Sequence, residues 1–266
     1  MNAVAQAMHD GFVVTQRNLT KIKRVPDLLL FSTIQPIMFV LLFAYVFGAA
    51  IKVPGVNYRE FLMAGIFTQT LAFGSSLTAV GLADDMQKGI IDRFRSLPMS
   101  RAAVLVGRTT CDLANNSFIV VVMSICGLLV GWRIRSSVPE ALAGFAILLL
   151  FGFALSWVFT LIGLHVRSIE AAQSAGFIGL FPLTFVSNAF VPTDNMPTVL
   201  RKFAEWNPVT AVSTSCRKLF GNTNESIAPF TNWPDRHAEL LAVAWSLVLL
   251  AIFVPLSVRR YRAASH

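Results

Sequence analysis

The sequence is short of charge. Asp, Glu, Lys and Arg make up 14% of its 266 residues and hydrophobic residues 55%, whereas a soluble globular protein carries roughly 25% charged residues. That balance excludes an ordinary water-soluble fold and reads as an integral membrane protein. Cysteine is scarce as well. Cys111, Cys126 and Cys216 form an odd set without metal-ligand spacing, and two of them fall in or beside one apolar run, which argues against a disulfide framework. His9, His165, His237 and His266 are scattered, with no partner at metal spacing. His165, beside Arg167 and Glu170, reads as a loop residue at the membrane interface. No Gly-x-Ser-x-Gly, His-Glu-x-x-His or Gly-x-x-x-x-Gly-Lys-Ser/Thr occurs, so no catalytic residue, metal ligand or phosphate loop is assigned, and the chain is expected to bind no cofactor of its own. A signal peptide is also not evident: the first 25 residues are polar and contain Asp10, and the first apolar run is long enough to stay as a span.

The absence with the widest consequence lies inside the apolar runs. Six of them, at about 28–50, 60–82, 104–131, 140–164, 171–192 and 238–257, reach the ~20 residues that cross a bilayer as a helix. No Asp, Glu, Lys or Arg occurs from Leu28 to Ala50, Phe61 to Ala83, Leu113 to Gly131, Ala141 to Leu164, Ala171 to Pro192 or Leu240 to Val258. Transporters driven by ion gradients commonly keep ionisable groups at the midplane despite their cost. With none here, uphill movement is expected to draw its free energy from outside the membrane.

What charge there is sits beside the runs. A net charge of +8 would suggest nucleic acid in a soluble chain, but no motif for DNA or RNA accompanies it, and no nucleic-acid partner is expected. The basic residues instead set orientation and meet anionic membrane lipid. Arg17, Lys21, Lys23, Arg24, Lys88, Arg93, Arg95, Arg101, Arg108, Arg167, Arg259, Arg260 and Arg262 fall on one side, and the short loops of the other side hold only Lys52, Arg59, Arg133 and Arg135. Both termini are therefore expected in the cytoplasm, with 193–236 as the one long external loop.

Three polar stretches are patterned. In 3–24, Val4, Met8, Phe12, Leu19 and Ile22 share a face from which Arg17, Lys21 and Arg24 point away. Such a basic amphipathic helix lies along the cytoplasmic leaflet or offers a docking surface. In 84–97, Met86, Ile90, Phe94 and Leu97 form a stripe opposite Asp85, Lys88, Asp92 and Arg95, and Pro98 ends the helix. This second helix either lies flat in the headgroups or meets another protein, and the charge-free runs favour the partner. In the external loop, large apolar residues run up to Asn207-Pro208 and a mixed segment, Val209 to Phe220, follows. Two short amphipathic helices broken at Asn207-Pro208 would dip back towards the membrane or cap a pathway; a small soluble cap is the alternative. A few polar residues remain within the runs: Gln35-Pro36, Asn115, Asn116, Ser187 and Asn188. They serve interhelical hydrogen bonding or line a substrate path. Arg108 and Asp112, four apart, read as an interfacial pair.

Two stretches together resemble a known family. One runs from Asp85-Met86-Gln87-Lys88-Gly89 through Asp92-Arg93-Phe94-Arg95-Ser96-Leu97-Pro98-Met99-Ser100-Arg101 to Gly107-Arg108. The other runs from Phe181-Pro182-Leu183 through Ser187-Asn188-Ala189-Phe190-Val191-Pro192, Met196-Pro197 and Leu200-Arg201 to Asn207-Pro208-Val209-Thr210 and Arg217. Both are similar to the permease subunits of ABC-2 type exporters, particularly the daunorubicin-resistance branch. The resemblance implies an all-α integral membrane fold, residues 1–266 forming a single domain. It would have six transmembrane helices, an N-terminal amphipathic connecting helix, a cytoplasmic coupling helix and short external re-entrant helices. It also implies a second permease chain, identical or related, and a separate cytoplasmic ABC ATPase that carries ATP and Mg. Met86, Ile90, Asp92, Arg93, Phe94, Arg95, Leu97 and Pro98 would meet that ATPase. The substrate path would follow the dimer interface, largely between the first, second and fifth spans. The family motifs do not name substrate residues, so Asn115, Asn116, Ser187 and Asn188 stand as candidates from position alone. The series Pro-Thr-Asp-Asn-Met-Pro is closer to the drug and lipid branch than to polysaccharide exporters. The expected function is thus export of an amphipathic drug or lipid-like compound across the cytoplasmic (inner) membrane. The alternatives are a polysaccharide or glycolipid permease, a lipid-modifying membrane enzyme with its acids among Asp194, Glu205 and Asp235, and a non-transporting scaffold.

Overall fold

The computed structural model describes residues 26–48, 51, 53, 55–90, 101–166, 168–193, 196–224, 227 and 229–263. The 3–24 stretch lies outside these, as do Asp92, Arg93, Phe94, Arg95, Leu97, Pro98 and Asp194. Within the described residues the chain is helical, its one β feature an isolated bridge between Val53 and Val56. The helices are α1 (Pro26–Leu41), which runs on as a π-helical stretch Leu42–Phe47, α2 (Tyr58–Gln87), α3 (Arg101–Val130), α4 (Val138–Gly163), α5 (Ile169–Phe185), α6 (Thr198–Trp206), α7 (Pro208–Leu219), α8 (Trp233–Arg236) and α9 (Ala238–Ala263). Local chemistry sets their starts. Asn57, Ser168 and Asn207 each accept a first-turn N–H through the side chain, and the Glu140 carboxylate accepts from both the N–H and the hydroxyl of Ser137.

Among the described residues, four helices are long and apolar enough to cross a membrane: Tyr58–Gln87, Val104–Val130, Val138–Gly163 and Ala238–Tyr261. The other two apolar runs give shorter α-helices, of 16 and 17 residues. The fifth run was expected to continue to Pro192, but α5 stops at Phe185, just past Pro182, and Val186–Val191 is a bent, non-helical segment.

α2 is the hub. It packs along α4, α5 and α7, while α4 also carries α9. Between lipid-facing helices, close van der Waals fit replaces the hydrophobic drive of a water-soluble core. At Gly65 the fit needs glycine, since a Cβ there would lie 1.8 Å from the carbonyl oxygen of Ala189. Towards one end, the rings of Phe67, Trp132, Phe145 and Phe220 pack at centroid distances of 4.9 to 6.4 Å. A separate cluster at the other end joins Leu82, Val104, Leu105, Trp157, Leu164 and Tyr261.

At the end with the four rings, Arg135 grips the Glu60 carboxylate with Nε and Nη2 at 3.0 and 2.8 Å, Ser136 donates to the Leu219 carbonyl, and Trp132 Nε1 donates to Asn222. At the opposite end the patterned stretch 84–97 begins inside α2, which continues to Gln87 before turning at Lys88-Gly89. Gly89 has φ +65°, a left-handed conformation that interrupts any single helix through 84–97. Met86 therefore belongs to α2 and packs against the second cluster, and Ile90, half-buried, follows the turn.

Candidate functional site

Two of the sequence candidates, Ser187 and Asn188, sit where α5 unwinds, and the reason the backbone tolerates this is on α6 and α7. A helix that ends inside a membrane protein exposes carbonyls that need new partners. Asn207 supplies two, its Nδ2 donating to the carbonyls of Leu183 and Val186 at 2.7 Å each while its Oδ1 caps Val209 N–H at 2.8 Å. Arg217 supplies more: Nε donates to the Phe61 carbonyl at 2.8 Å, and Nη2 to the carbonyls of Asn188 and Ala189 at 2.8 and 3.2 Å. The guanidinium carbon lies 3.6 Å from the centre of the Phe61 ring, a cation–π contact. Asn188 is bound from both sides, donating to Thr214 and accepting from Ser213, and its N–H donates to Thr210. Ser187 is buried and donates to the Thr184 carbonyl. These side chains hold a bent segment in place. Asn188 and Arg217 also edge a pocket of ≈ 160 Å³ with Asp235, where burial pushes the Asp235 carboxyl above the usual carboxylate range. Glu205, a second acid of the enzyme alternative, is paired with Arg201 at 3.9 Å.

The larger cleft, of ≈ 290 Å³, lies elsewhere. It opens on the side of the bundle between α1, α2 and α5, with Ile119 of α3 behind. Its polar groups are the amides of Gln35, Gln69 and Gln173 and the hydroxyls of Thr70 and Ser76, and its apolar walls include Phe39, Phe73 and Phe177. Phe73 and Phe177, from α2 and α5, face one another at 5.7 Å. Among the described residues, none that lines it is Asp, Glu, Lys or Arg. Amides offering both donors and acceptors, set among phenyl rings, suit a flat apolar molecule with a few polar atoms. Gln69, roughly midway along α2, is buried, whereas Gln35 and Gln173 are exposed on the open side.

The structure thus separates the residues picked from sequence. Asn115 is half-buried on α3 and does not line the cleft. Asn116, 2% exposed, lies between α2 and α4, its Nδ2 without a partner among the described residues. Gln69 and Gln173 were passed over while other neutral amides of the apolar runs, Gln35, Asn115, Asn116 and Asn188, were picked. Counting neutral amides inside apolar runs would have found them.

Membrane-length apolar helices around a charge-free lateral cleft define a polytopic membrane protein. The chain belongs to the ABC-2 type transporter family, whose model matches residues 10–220, as the resemblance led one to expect. It is 30% identical over 92% of its length, and 83% of the relative's, to the daunorubicin resistance ABC transporter permease protein DrrB1 of Streptomyces coeruleorubidus. It is 21% identical, across 100% of this chain and 93% of the relative, to a probable doxorubicin resistance ABC transporter permease protein, DrrC, of Mycobacterium tuberculosis. To the O-antigen export system permease protein RfbA of Klebsiella pneumoniae it is 24% identical, over 79% of each chain.

Proposed function

We propose that this chain is the permease of an ATP-driven exporter that moves an amphipathic drug or lipid-like compound out across the cytoplasmic membrane. ATP and Mg belong to a separate ATPase, and the connection between α2 and α3 is where that ATPase docks. The observation that carries the substrate class is the lateral cleft: three neutral amides among phenyl rings, with no charged residue in its lining. Relatives named for daunorubicin and doxorubicin resistance agree with such a compound. A polysaccharide chain would find few hydroxyl partners in walls so apolar.

The cleft also speaks for a second permease chain. Gln35 and Gln173 are exposed on the flanks of α1 and α5, and a polar amide left facing hydrocarbon is costly. A second copy across this open side would cover them and close the path. In this arrangement α1 with its π-helical continuation and α5 with its bent end also cross the bilayer, giving six spans with both termini inside. α6 and α7 then lie at the outer surface. Trp245 Nε1 donates to the Trp206 carbonyl at 3.2 Å, and Trp245 is about two turns into α9, so the end of α6 is tied to the side of α9, which supports a re-entrant arrangement.

The test is efflux. With doxorubicin as the probe and the ATPase co-expressed, Gln69→Leu and Phe73→Ala are expected to reduce export about tenfold, equivalent to about 1.4 kcal/mol of interaction, at unchanged membrane level. Unaltered export by both variants would remove the cleft from the path.

A further inference from the structure

We propose that Arg108 is a positioning residue for energy transfer, clamping the end of α2, where the 88–100 connection departs, to the start of α3, where it returns. The inference rests on the reading above, that this connection receives the ATPase.

The clamp is built from both helices. α2 contributes Thr78, Gly81 and Asp85, spaced by three and four residues and so on one stripe. α3 contributes Arg108 and Asp112, four apart on its own facing stripe. Arg108 reaches across α2 at Gly81, where an added Cβ would meet the guanidinium, so a side chain at 81 would displace the flexible end of Arg108 from its place. From there Nη1 lies 3.3 Å from Asp85 Oδ2 on α2, and Nε lies 3.7 Å from Asp112 Oδ1 on α3. The Thr78 hydroxyl donates to the other oxygen of Asp112 at 2.7 Å. One planar guanidinium thus faces two carboxylates from different helices, which a single ammonium cannot do with the same geometry. The three charged side chains are each about one-fifth exposed, far from the open-surface situation in which ion pairs contribute little. Leu82 and Met86 of α2 meet Val104 and Leu105 of α3 in the adjoining apolar cluster with Trp157 and Tyr261.

One turn beyond Asp112, Asn116 sets its Oδ1 against Gly74 of α2 and its Nδ2, without a partner among the described residues, against Gly152 of α4. Among the described residues, the side-chain polar contacts between α2 and α3 lie at this clamp and at the far end of the pair, where Arg59 Nη1 donates to the Val130 carbonyl at 3.1 Å. A push on the connection acts on a loop whose two ends are locked together, so it moves α2 and α3 as a pair. With the clamp open, the loop moves without them.

The test measures ATP hydrolysis and doxorubicin transport on the same proteoliposomes holding the assembled permease–ATPase complex. Arg108→Gln removes the cation. Gly81→Ala displaces the end of Arg108 and retains every charge, and Arg108→Lys keeps the charge without the fork. Coupling between sites is typically worth 5–150-fold, so Arg108→Gln and Gly81→Ala are expected to cut transport per ATP hydrolysed about tenfold, with hydrolysis within about twofold of the unaltered complex. Arg108→Lys should fall between. Should Arg108→Gln fail to assemble, Gly81→Ala and Arg108→Lys still decide. An unchanged ratio of transport to hydrolysis, whether both rates persist or both fall together, leaves Arg108 a structural residue and overturns the proposal. If the unaltered complex hydrolyses ATP but moves no doxorubicin, or recruits no ATPase, the underlying reading fails and the proposal goes with it.

Discussion

Three carbonyl oxygens and a phenyl ring surround the Arg217 guanidinium, and two of those carbonyls belong to backbone that has left the helical ladder. Arg217→Lys keeps the charge but cannot reach all three acceptors from one nitrogen. It is expected to lower stability by about 2–4 kcal/mol, read as thermal unfolding of the purified permease in detergent; a variant as stable as the parent would show that the fork is dispensable. Asp235 makes an opposite case. Burial, with Glu205 adding, raises its carboxyl pKa against the pull of Asn232, Arg217 and Lys218. A folded-state value above the unfolded one means that the folded chain holds the proton more tightly, so this stabilisation is present at low pH and fades as pH climbs through the folded value. The stability of Asp235→Asn relative to the parent should therefore improve between pH 4 and pH 7, and a relative loss over that range would contradict the assignment. At this scale the sequence shows which residues are unusual but not whom they meet. Arg217 and Asn207 stood out in the motif series, yet their partners are carbonyls orphaned more than 20 positions upstream. Gln69 and Gln173 went unnoticed because nothing in the local sequence separates a cleft-lining amide from the other neutral amides of the runs.

Among the elements, breaks that carry local chemistry were legible. Asn207-Pro208 is an N-cap followed by a first-turn proline, and the chain does divide there into α6 and α7. Asn207 does more than cap, however, since it also satisfies Leu183 and Val186. Asn207→Ala is expected to cost about 2–3 kcal/mol, where loss of a cap alone costs about 1 kcal/mol. Ser137→Ala, which touches only the start of α4, is the comparison, and equal losses in the two thermal unfolding curves would mean that the α5 carbonyls find other partners. Two boundaries were not legible. The amphipathic stripe over 84–97 reads as one helix because its spacing runs straight through Gly89, whereas the structure turns there. The early end of α5 was hidden because what replaces its helical bonds comes from α6–α7, far along the chain.

For the molecule as a whole, the strongest sequence signal was an absence, the lack of Asp, Glu, Lys and Arg from the central stretches of the apolar runs. It identified a membrane protein without an evident ion relay, and the family match places it among ABC-2 transporters. The resemblance put a path at the dimer interface, largely between the first, second and fifth spans; the lateral cleft has walls from α1, α2 and α5, and whether it is that path is what the efflux test decides. Its amide-and-phenyl character required three helices to be brought together. The central claim is that this chain supplies a path and another polypeptide supplies the work. Reconstituted alone in liposomes, the permease should accumulate no doxorubicin under an imposed proton or sodium gradient. With its ATPase, ATP and Mg added, it should transport. Accumulation driven by an ion gradient in the absence of nucleotide and ATPase would contradict the account.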